Sequence, residues 1–308
     1  MIYFDILKVR YFSYAVSLGM ICLFCFGVFY KRSHQGSVFS YSIEFTGGYE
    51  IACSLDSEEN ASISSEELKH QLEKHGYSGV SIRHFEKNNF LLRFSINEKD
   101  LASFDPIAFQ SQLQKNIHSI FSKMTFVIFD TSFVGPGVGR DMCQKGVLAI
   151  LVALLFMFVY VWIRFPSWKF SFANIISLLH DVLVILLLLM WCSIEISLDS
   201  LIAILFIIGY SINDTIVIFS AVREQMHDEG VAVPSAMLIN KSIMMTLRRT
   251  LLTSFFTSLV VVPLWLFGGY ALKALAMPIL IGIIFGTYSS IAIACTVLYD
   301  FFSCGRKV

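Results

Sequence analysis

The chain of 308 residues is 56% hydrophobic and 15% charged, with 23 basic and 23 acidic side chains. Soluble domains are usually about 45–50% apolar and about 25% charged, so this composition excludes an ordinary water-soluble protein. The lack of a basic excess also argues against a nucleic-acid-binding protein. Residues 31–145 hold 26 of the 46 charges, which predicts one soluble domain set into a membrane protein.

Six segments are apolar and long enough to be transmembrane helices, since a helix needs about 20 apolar residues to cross a bilayer. They are residues 11–30, 146–163, 170–192, 198–222, 243–267 and 276–299. The first is longer than the apolar core of a signal peptide, which is about 7–15 residues, and no small-residue cleavage site follows it. We therefore interpret it as a retained anchor.

Basic residues at the ends of the spans predict the orientation, because Lys and Arg near span ends stay cytoplasmic. The alternate short loops hold only Lys273. The other set of connections carries Lys8, Arg10, Arg164, Lys169, Arg223, Lys241, Arg248, Arg249, Arg306 and Lys307. We expect both termini to be cytoplasmic and the soluble domain to be external.

This pattern predicts four regions. Residues 1–30 form the cytoplasmic N-terminus and first transmembrane helix, and residues 31–140 form the external domain. Residues 141–303 form a five-helix transmembrane bundle, and residues 304–308 form a cytoplasmic tail.

The first half of the external domain is predicted to form a strand followed by a helix. Residues 42–55 predict a strand that Gly47-Gly48 interrupts with a bulge or tight bend. Ser64 begins a capping box with Glu67, which predicts a helix extending to about residue 75.

The second half predicts a hairpin, a helix and a last strand. Residues 80–86 and 90–96 alternate apolar and polar side chains around Asn88-Asn89. Asp105-Pro106 suits the start of a helix to about residue 121, and residues 125–133 complete the sheet. The order β-α-β-β-α-β predicts a ferredoxin-like α+β domain, a fold that by itself indicates no particular chemistry.

Gly135-Pro136-Gly137-Val138-Gly139 is glycine-rich but lacks the spacing of a phosphate-binding loop. We interpret it as a flexible entry into the second span, so ATP bound here is not expected as an energy source. Of the seven cysteines only Cys53 lies well inside the external domain, which argues against a disulfide framework. The sequence shows no metal-ligand cluster, and we expect no cofactor.

Three ionisable residues stand out within the spans, Asp181, Asp214 and Arg249, because charge there costs several kcal/mol unless it is paired or hydrated. At a rise of about 1.5 Å per residue, Asp181 lies roughly 16 Å into the third span. Asp214 and Arg249 each lie about 10 Å from the cytoplasmic edge, so an acid and a base on adjacent spans can meet.

Asp214 belongs to a polar island, Gly209-Tyr210-Ser211-Ile212-Asn213-Asp214-Thr215, within an aliphatic helix. It could tie helices together, or it could bind protons. Burial disfavours the charged carboxylate and a nearby guanidinium favours it, so movement of Arg249 would switch proton uptake and release. Arg249 alternatively fixes topology, as Arg223 and Arg248 can. His180-Asp181 could relay protons or serve as a packing contact.

Five segments in register resemble the SecD/SecF family of protein-export membrane proteins. They are Phe45-Thr46-Gly47-Gly48, Val134-Gly135-Pro136-Gly137-Val138-Gly139, Leu179-His180-Asp181-Val182, residues 208–215 and Arg249-Thr250-Leu251-Leu252-Thr253-Ser254. The SecD half typically carries Asp-Ala-Asn in its fourth span, where this chain has Asn213-Asp214-Thr215, so the resemblance is to the SecF half.

The resemblance implies a resistance-nodulation-division type of membrane core in a bacterial inner membrane, with the external domain in the periplasm. It implies a SecD-like partner, association with the SecY-SecE-SecG channel, and use of the proton gradient to move an emerging preprotein. Asp214 matches the family's proton-carrying aspartate and Arg249 the arginine beside it; Asp181, Asn213 and Thr215 join them as proton-coupling candidates. Phe45, Thr46, Gly47, Gly48, Gly135, Pro136, Gly139 and Gly209 are structural motif candidates.

The chain departs from the family pattern at two places. Ser42-Ile43-Glu44 stands where Gly-Ile-Asp is common, and Ser220 follows Phe219 where an Asp is frequent. Two other functions stay open: half of a small-molecule efflux transporter, and a structural translocase subunit without a proton role. An enzyme has little support, because no nucleophile-base pair occupies a plausible site.

Overall fold

The computed structural model describes residues 5–57, 64–77, 79–86, 89–96, 104–121, 124–165 and 167–304. Two compact units emerge: Met1–Ser40 with Val147–Val308, here called the helical bundle, and Tyr41–Gly146, here called the α+β domain. The elements in chain order are α1 (Arg10–Gln35), α2 (Ile43–Thr46), β1 (Gly48–Ser57), α3 (Ser65–Lys74), β2 (Ser81–Glu86), β3 (Asn89–Phe94), α4 (Pro106–Ile120), β4 (Met124–Val134), α5 (Pro136–Arg164), α6 (Trp168–Trp191), α7 (Leu198–Asp228), α8 (Ala236–Phe267), α9 (Gly269–Tyr288), a π-helical segment (Ser289–Ala294) and α10 (Cys295–Cys304).

The α+β domain contains a four-stranded antiparallel sheet in the order β2-β3-β1-β4. The predicted order of strands and helices is confirmed. Its helices begin where their caps predict, because the Ser64 hydroxyl accepts a hydrogen bond from the Glu67 amide at 3.2 Å and Asp105 Oδ1 accepts one from the Ile107 amide at 2.9 Å. Apolar side chains of α3, α4 and the sheet form one core, which includes Ile51, Leu68, Leu72, Leu92, Leu113 and Ile117.

The residues before Gly47 are helical, which corrects the prediction of a strand over residues 42–55. Hydrogen bonds from Thr46 Oγ1 to the Ser42 carbonyl, at 3.0 Å, and from the Gly47 amide to the Ile43 carbonyl, at 2.7 Å, close a single turn. Residues 42–55 were predicted as a strand, but Ile43 and Phe45 are buried by one helical turn. Gly47 and Gly48 have φ of +73° and +134°, a backbone that only glycine adopts freely, and they turn the chain into β1. Asn88 of the predicted hairpin turn lies outside the described residues.

The glycine-rich segment is helical, which corrects its interpretation as a flexible entry. α5 begins at Pro136, and the Gly135 carbonyl accepts hydrogen bonds from the amides of Val138, at 3.0 Å, and Gly139, at 3.2 Å. Proline suits a first helical position because its missing N–H would have no partner there. The second span therefore belongs to a helix that starts ten residues before the predicted 146.

Six helical stretches in the described residues are long and apolar enough to cross a membrane, as predicted. They are Ile6–His34, Gly137–Arg164, Trp168–Trp191, Leu198–Asp228, Ala236–Phe267 and Leu272–Ser303. In the third, fourth and sixth, 61%, 50% and 67% of the most apolar window is buried, against 17%, 17% and 11% in the first, second and fifth. The third, fourth and sixth spans therefore form the interior of the bundle.

Candidate functional site

A set of buried polar side chains, here called the polar core, is distributed over the three inner spans and α8. On α6 its members recur every three or four residues, so they share one face of the helix. The polar core comprises Ser171, Asn174, Ser177, His180 and Asp181 of α6, Ser211, Asp214 and Thr215 of α7, Thr250 and Ser254 of α8, and Thr287, Ser289, Ser290 and Thr296 of the last span. The surrounding side chains are mostly aliphatic and aromatic, so these groups form a polar island in a low-dielectric interior.

Asp181 lies at the centre of the polar core and is 1% exposed. Its Oδ2 accepts a hydrogen bond from the Ser211 hydroxyl at 2.6 Å, which joins α6 to α7. The neighbouring His180 Nδ1 is 3.6 Å from Oδ1, too far for a hydrogen bond. Gly286 allows this approach, because a Cβ there would lie 3.3 Å from Ser211 Cβ and 3.7 Å from Asp181 Oδ2.

The π-helical segment brings the last span into the same network. Ser290 Oγ donates to the Ser211 carbonyl at 3.1 Å, and Thr215 Oγ1 donates to Ser290 Oγ at 2.9 Å. A single turn of π-helix inside an α-helix is rare and is frequent at functional sites. Here it places Ser290 against α7.

The α6 face of the polar core carries several groups whose hydrogen-bonding capacity is unused. Within the described part of the chain, no partner is present for the hydroxyls of Ser171 and Ser177, the side-chain amide of Asn174, either ring nitrogen of His180 or Oδ1 of Asp181. Buried polar groups usually have a partner, which is often an internal water. The face leading from the start of α6 to Asp181 is therefore suited to hydration.

Asp214 is 3% exposed and lies in the middle of α7. No described residue forms a hydrogen bond with its Oδ2. A favourable coulombic interaction reaches the carboxylate from Arg249, yet no ion pair within 4.0 Å joins the two described side chains. The acid and the base are thus electrostatically coupled without being bonded.

The other residues of the predicted proton-coupling set have different surroundings. Thr215 is buried and bonded to Ser290, whereas Asn213 and Arg249 are exposed on the isolated bundle. Gly209 is also exposed, and a Cβ there would meet nothing within 4 Å. The structure thus brings Asp214 and Thr215 into the polar core and leaves Asn213 at its surface.

The predicted motif residues of the α+β domain form a cluster of their own. A Cβ on Gly139 would lie 2.9 Å from the Phe45 carbonyl oxygen and the Gly47 amide nitrogen, so only glycine fits. Gly135 and Pro136 start the helix that presents Gly139 to the Phe45-Thr46-Gly47-Gly48 turn. This cluster is a packing contact between two glycine-containing segments.

Ser211, Ser290 and Gly286 have no role predicted from the sequence. Ser211 lay inside the recognised polar island, and two adjacent serines in the apolar sixth span were the signal for Ser290. A second hydrogen-bonded set, in which the Tyr210 hydroxyl donates to Ser254 at 3.2 Å and Ser254 lies 2.6 Å from Thr287 Oγ1, was likewise not foreseen.

The described residues include no cluster of metal ligands, and six of the cysteines are unpaired. No group of three or more His, Cys, Asp or Glu side chains there could hold a metal ion. Cys22, Cys25, Cys53, Cys143, Cys192 and Cys295 are all free thiols. Burial raises the pKa of the Cys53 thiol to about 12, so this group stays protonated at neutral pH.

The fold and the polar core define the class as a multi-pass helical membrane protein with ionisable groups inside its bundle and an α+β domain between its first two spans. The protein-family profile for "Protein export membrane protein SecD/SecF, C-terminal" matches residues 113–303. The chain is 33% identical over 304 residues to the protein translocase subunit SecF of Rickettsia rickettsii, covering 97% of this chain and 92% of that one. It is 35% identical over 288 residues to that of Helicobacter pylori, covering 92% and 84%. The chain belongs to the SecD/SecF family as a SecF subunit of the Sec protein translocase, a transporter component rather than an enzyme.

Solved structures agree with this membership. The crystal structure of SecDF, a translocon-associated membrane protein from Thermus thermophilus, matches with a TM-score of 0.79 and 30% identity. The match covers 97% of this chain and 38% of the SecDF chain. A SecDF structure in a super-membrane-facing form matches with a TM-score of 0.66 and 27% identity, over 99% and 39% of the two chains.

Proposed function

We propose that this subunit couples the proton gradient to preprotein translocation, with Asp214 as the group that takes up and releases the proton. The observation that carries the proposal is the Asp214 carboxylate, which is buried, lacks a partner on Oδ2 and is coupled to Arg249. An unpartnered buried carboxylate favours its neutral form, and approach of a guanidinium favours its charged form. A change in their separation would therefore load or unload the proton.

The remaining members of the polar core support this cycle. Asp181 and Thr215 hold α7 against α6 and the π-helical segment through Ser211 and Ser290. Sliding of these helices would exchange hydrogen bonds among hydroxyl groups, which costs little compared with opening an apolar interface. Asn174 and Ser177 of α6 provide a hydratable approach to the same region.

We infer a SecD-like partner from the surface of α8. Arg249 is exposed there beside Met245, Leu252 and Phe256, whose exposed fractions are 61%, 44% and 59%. A guanidinium facing hydrocarbon is expensive, so this face requires a protein or hydrated cover. The SecDF chain is more than twice as long as the part that this chain matches, and a SecD-like subunit fits that remainder. Transporters are commonly built from two related halves.

The proposed setting is a bacterial inner membrane, with both termini cytoplasmic and the α+β domain in the periplasm. The asymmetry of Lys and Arg between alternate loops supports this orientation. In it, the α+β domain faces the side on which a preprotein emerges from a SecY-SecE-SecG channel. Motion of the bundle would be transmitted to this domain and from there to the preprotein.

The test is export driven by the proton gradient, in cells or in reconstituted vesicles with the channel and a SecD-like partner. Asp214→Asn removes the proton site and keeps the shape, and Arg249→Met removes the charge, so both variants should lose gradient-dependent export. The matched controls are Asp228→Asn, which changes an exposed acid on the same helix, and Arg248→Met.

Wild-type export by Asp214→Asn and Arg249→Met at normal protein levels would refute proton transfer at this pair. A structural subunit would show export loss only on deletion of the chain. Accumulation of small molecules in deletion cells with unchanged export would instead indicate an efflux function.

A further inference from the structure

An open cleft lies at the end of the second and fourth spans. Its volume is about 880 Å³, its polar lining includes Arg164 of α5 and Ser220, Arg223, Glu224 and His227 of α7, and Phe165 and Ile163 add apolar lining. A hydrogen bond of 3.2 Å from Arg223 Nη1 to the Arg164 carbonyl holds the two helix ends together. The proton-coupling proposal uses none of these residues.

Two guanidinium groups of the cleft share one aromatic ring. The Cζ atoms of Arg164 and Arg223 lie 5.6 and 5.7 Å from the centroid of the Phe165 ring. Phe165 is 3% exposed and stacks on Phe170 at 5.1 Å, so the ring is fixed. Cation–π contact with a fixed ring restrains both side chains and lowers the entropy lost when they bind an anion.

The positive charge of the cleft is not neutralised by ion pairs. In the described part of the chain, no carboxylate lies within 4.0 Å of either guanidinium, whereas Arg10 pairs with Asp300 at 3.4 Å and Arg93 with Glu50 at 2.6 Å. Glu224 also lines the cleft, so the three charged groups leave one net positive charge. An anion that reaches both arginines would fill the vacant hydrogen-bonding capacity of two guanidinium forks.

The surroundings of the cleft favour a lipid over a free anion. Arg164 is the last residue of the second span, and Ile163 beside it is 81% exposed on the apolar surface. Trp162 is 58% exposed one residue further into the span. A phosphate group bound at the arginines would therefore have room for its acyl chains along this apolar surface, and basic pockets between transmembrane helices are known to hold anionic headgroups.

We propose that the cleft binds the phosphate group of an anionic phospholipid from the adjacent leaflet, with Arg164 and Arg223 as its two ligands. Basic residues that only set topology need no common ring and no cleft. Glu224 limits the affinity by repelling the phosphate, and Ser220 contributes an uncharged hydroxyl to the same helix face.

The experiment measures lipids retained by the purified full chain, using native mass spectrometry after incubation with equal amounts of phosphatidylglycerol and phosphatidylcholine. The wild type should retain phosphatidylglycerol preferentially. Arg164→Gln with Arg223→Gln should lower this retention roughly 30-fold, since each basic group near a lipid surface contributes about 1 kcal/mol. Glu224→Gln should raise it by about fivefold.

The matched control is Lys8→Gln with Lys241→Gln, which removes two positive charges that are already paired with Asp5, at 3.2 Å, and Glu229, at 3.9 Å. Retention by this control should stay at the wild-type level. Equal retention of the two lipids, or an equal loss in the control, would overturn the proposal. Displacement of the lipid by inorganic phosphate at the same concentration would also overturn it, because the site would then be a general anion site.

Discussion

Asp181 and Asp214 are both buried carboxylates of the same bundle, yet their surroundings differ. Asp181 accepts a short hydrogen bond from Ser211 and belongs to a network that joins three helices. Asp214 has a favourable coulombic interaction with Arg249 on the exposed α8, and each carboxylate keeps one oxygen without a partner among the described residues, Oδ1 in Asp181 and Oδ2 in Asp214. An acid inside a span is a candidate functional residue because burying its charge costs free energy. Its neighbours then show whether it joins helices by hydrogen bonds or can take up and release a proton.

The largest expected difference is in gradient-driven export. Asp214→Asn should abolish it, because an amide binds no proton at physiological pH. Asp181→Asn should retain most of it, because the amide oxygen still accepts from the Ser211 hydroxyl. Export assays on the two variants at matched protein levels test this. Loss of export in both would make Asp181 a second proton carrier and remove the distinction.

Alanine substitutions should affect stability more at Asp181 than at Asp214, the reverse of the expected effects on export. Asp181→Ala leaves the buried Ser211 hydroxyl without its acceptor, so the free energy of unfolding should fall by about 1–3 kcal/mol. Asp214→Ala loses no hydrogen bond at Oδ2 and should cost less. Unfolding of the purified chain in mixed detergent micelles gives both values. A larger loss for Asp214→Ala would show that its carboxylate is satisfied after all.

Gly286 and Gly209 test how closely the helices pack around Asp181 and around Asp214. Gly286→Ala puts a methyl group 3.3 Å from Ser211 Cβ and disturbs the Asp181 contact, so it should destabilise the bundle by about 1–3 kcal/mol. Gly209→Ala lies in open space on the helix of Asp214 and should stabilise by roughly 0.5–1 kcal/mol through helix propensity. The same unfolding assay decides between them, and equal effects would contradict the close packing at Gly286.

The smallest effects concern the two neighbours of Asp214. Thr215→Val removes the 2.9 Å hydrogen bond to Ser290 at nearly constant volume and should cost about 0.5–1.5 kcal/mol. Asn213→Ala changes an exposed side chain and should stay within about 0.5 kcal/mol of wild type. Thermal melts of the isolated chain report both, and the opposite ranking would mean that the network ends at Ser211.

Sequence patterns predicted most of the α+β domain because their signals are local. Ser64 and Asp105 cap helices through bonds to residues two or three positions away, and alternation defines strands over six residues. The pattern failed at Ile43 and Phe45, because both are buried in one helical turn as they would be in a strand. It also failed at Gly135-Pro136, where glycine suggested mobility and the proline started a helix.

The candidate site was predictable only in part. Asp181, Asp214 and Arg249 stood out because charge in a span is costly, and that cost is visible in sequence. The hydrogen bonds of Ser211 with Asp181 and Ser290 join residues 30 and 79 positions apart. No periodicity specifies contacts at such separations, and the estimated depth of Asp214 and Arg249 could not reveal that they lie within electrostatic reach without an ion pair.

The sequence by itself determined that the chain has six spans and one α+β domain, because hydropathy and capping depend on neighbouring residues. Only the tertiary structure decided that the third, fourth and sixth spans form the interior, that Ser211 donates a hydrogen bond to Asp181, and that Asp214 lies near Arg249 without forming an ion pair. All the spans are apolar enough to face lipid, so composition does not show which of them are buried. Packing between distant segments determines which spans are buried and which polar groups have hydrogen-bond partners.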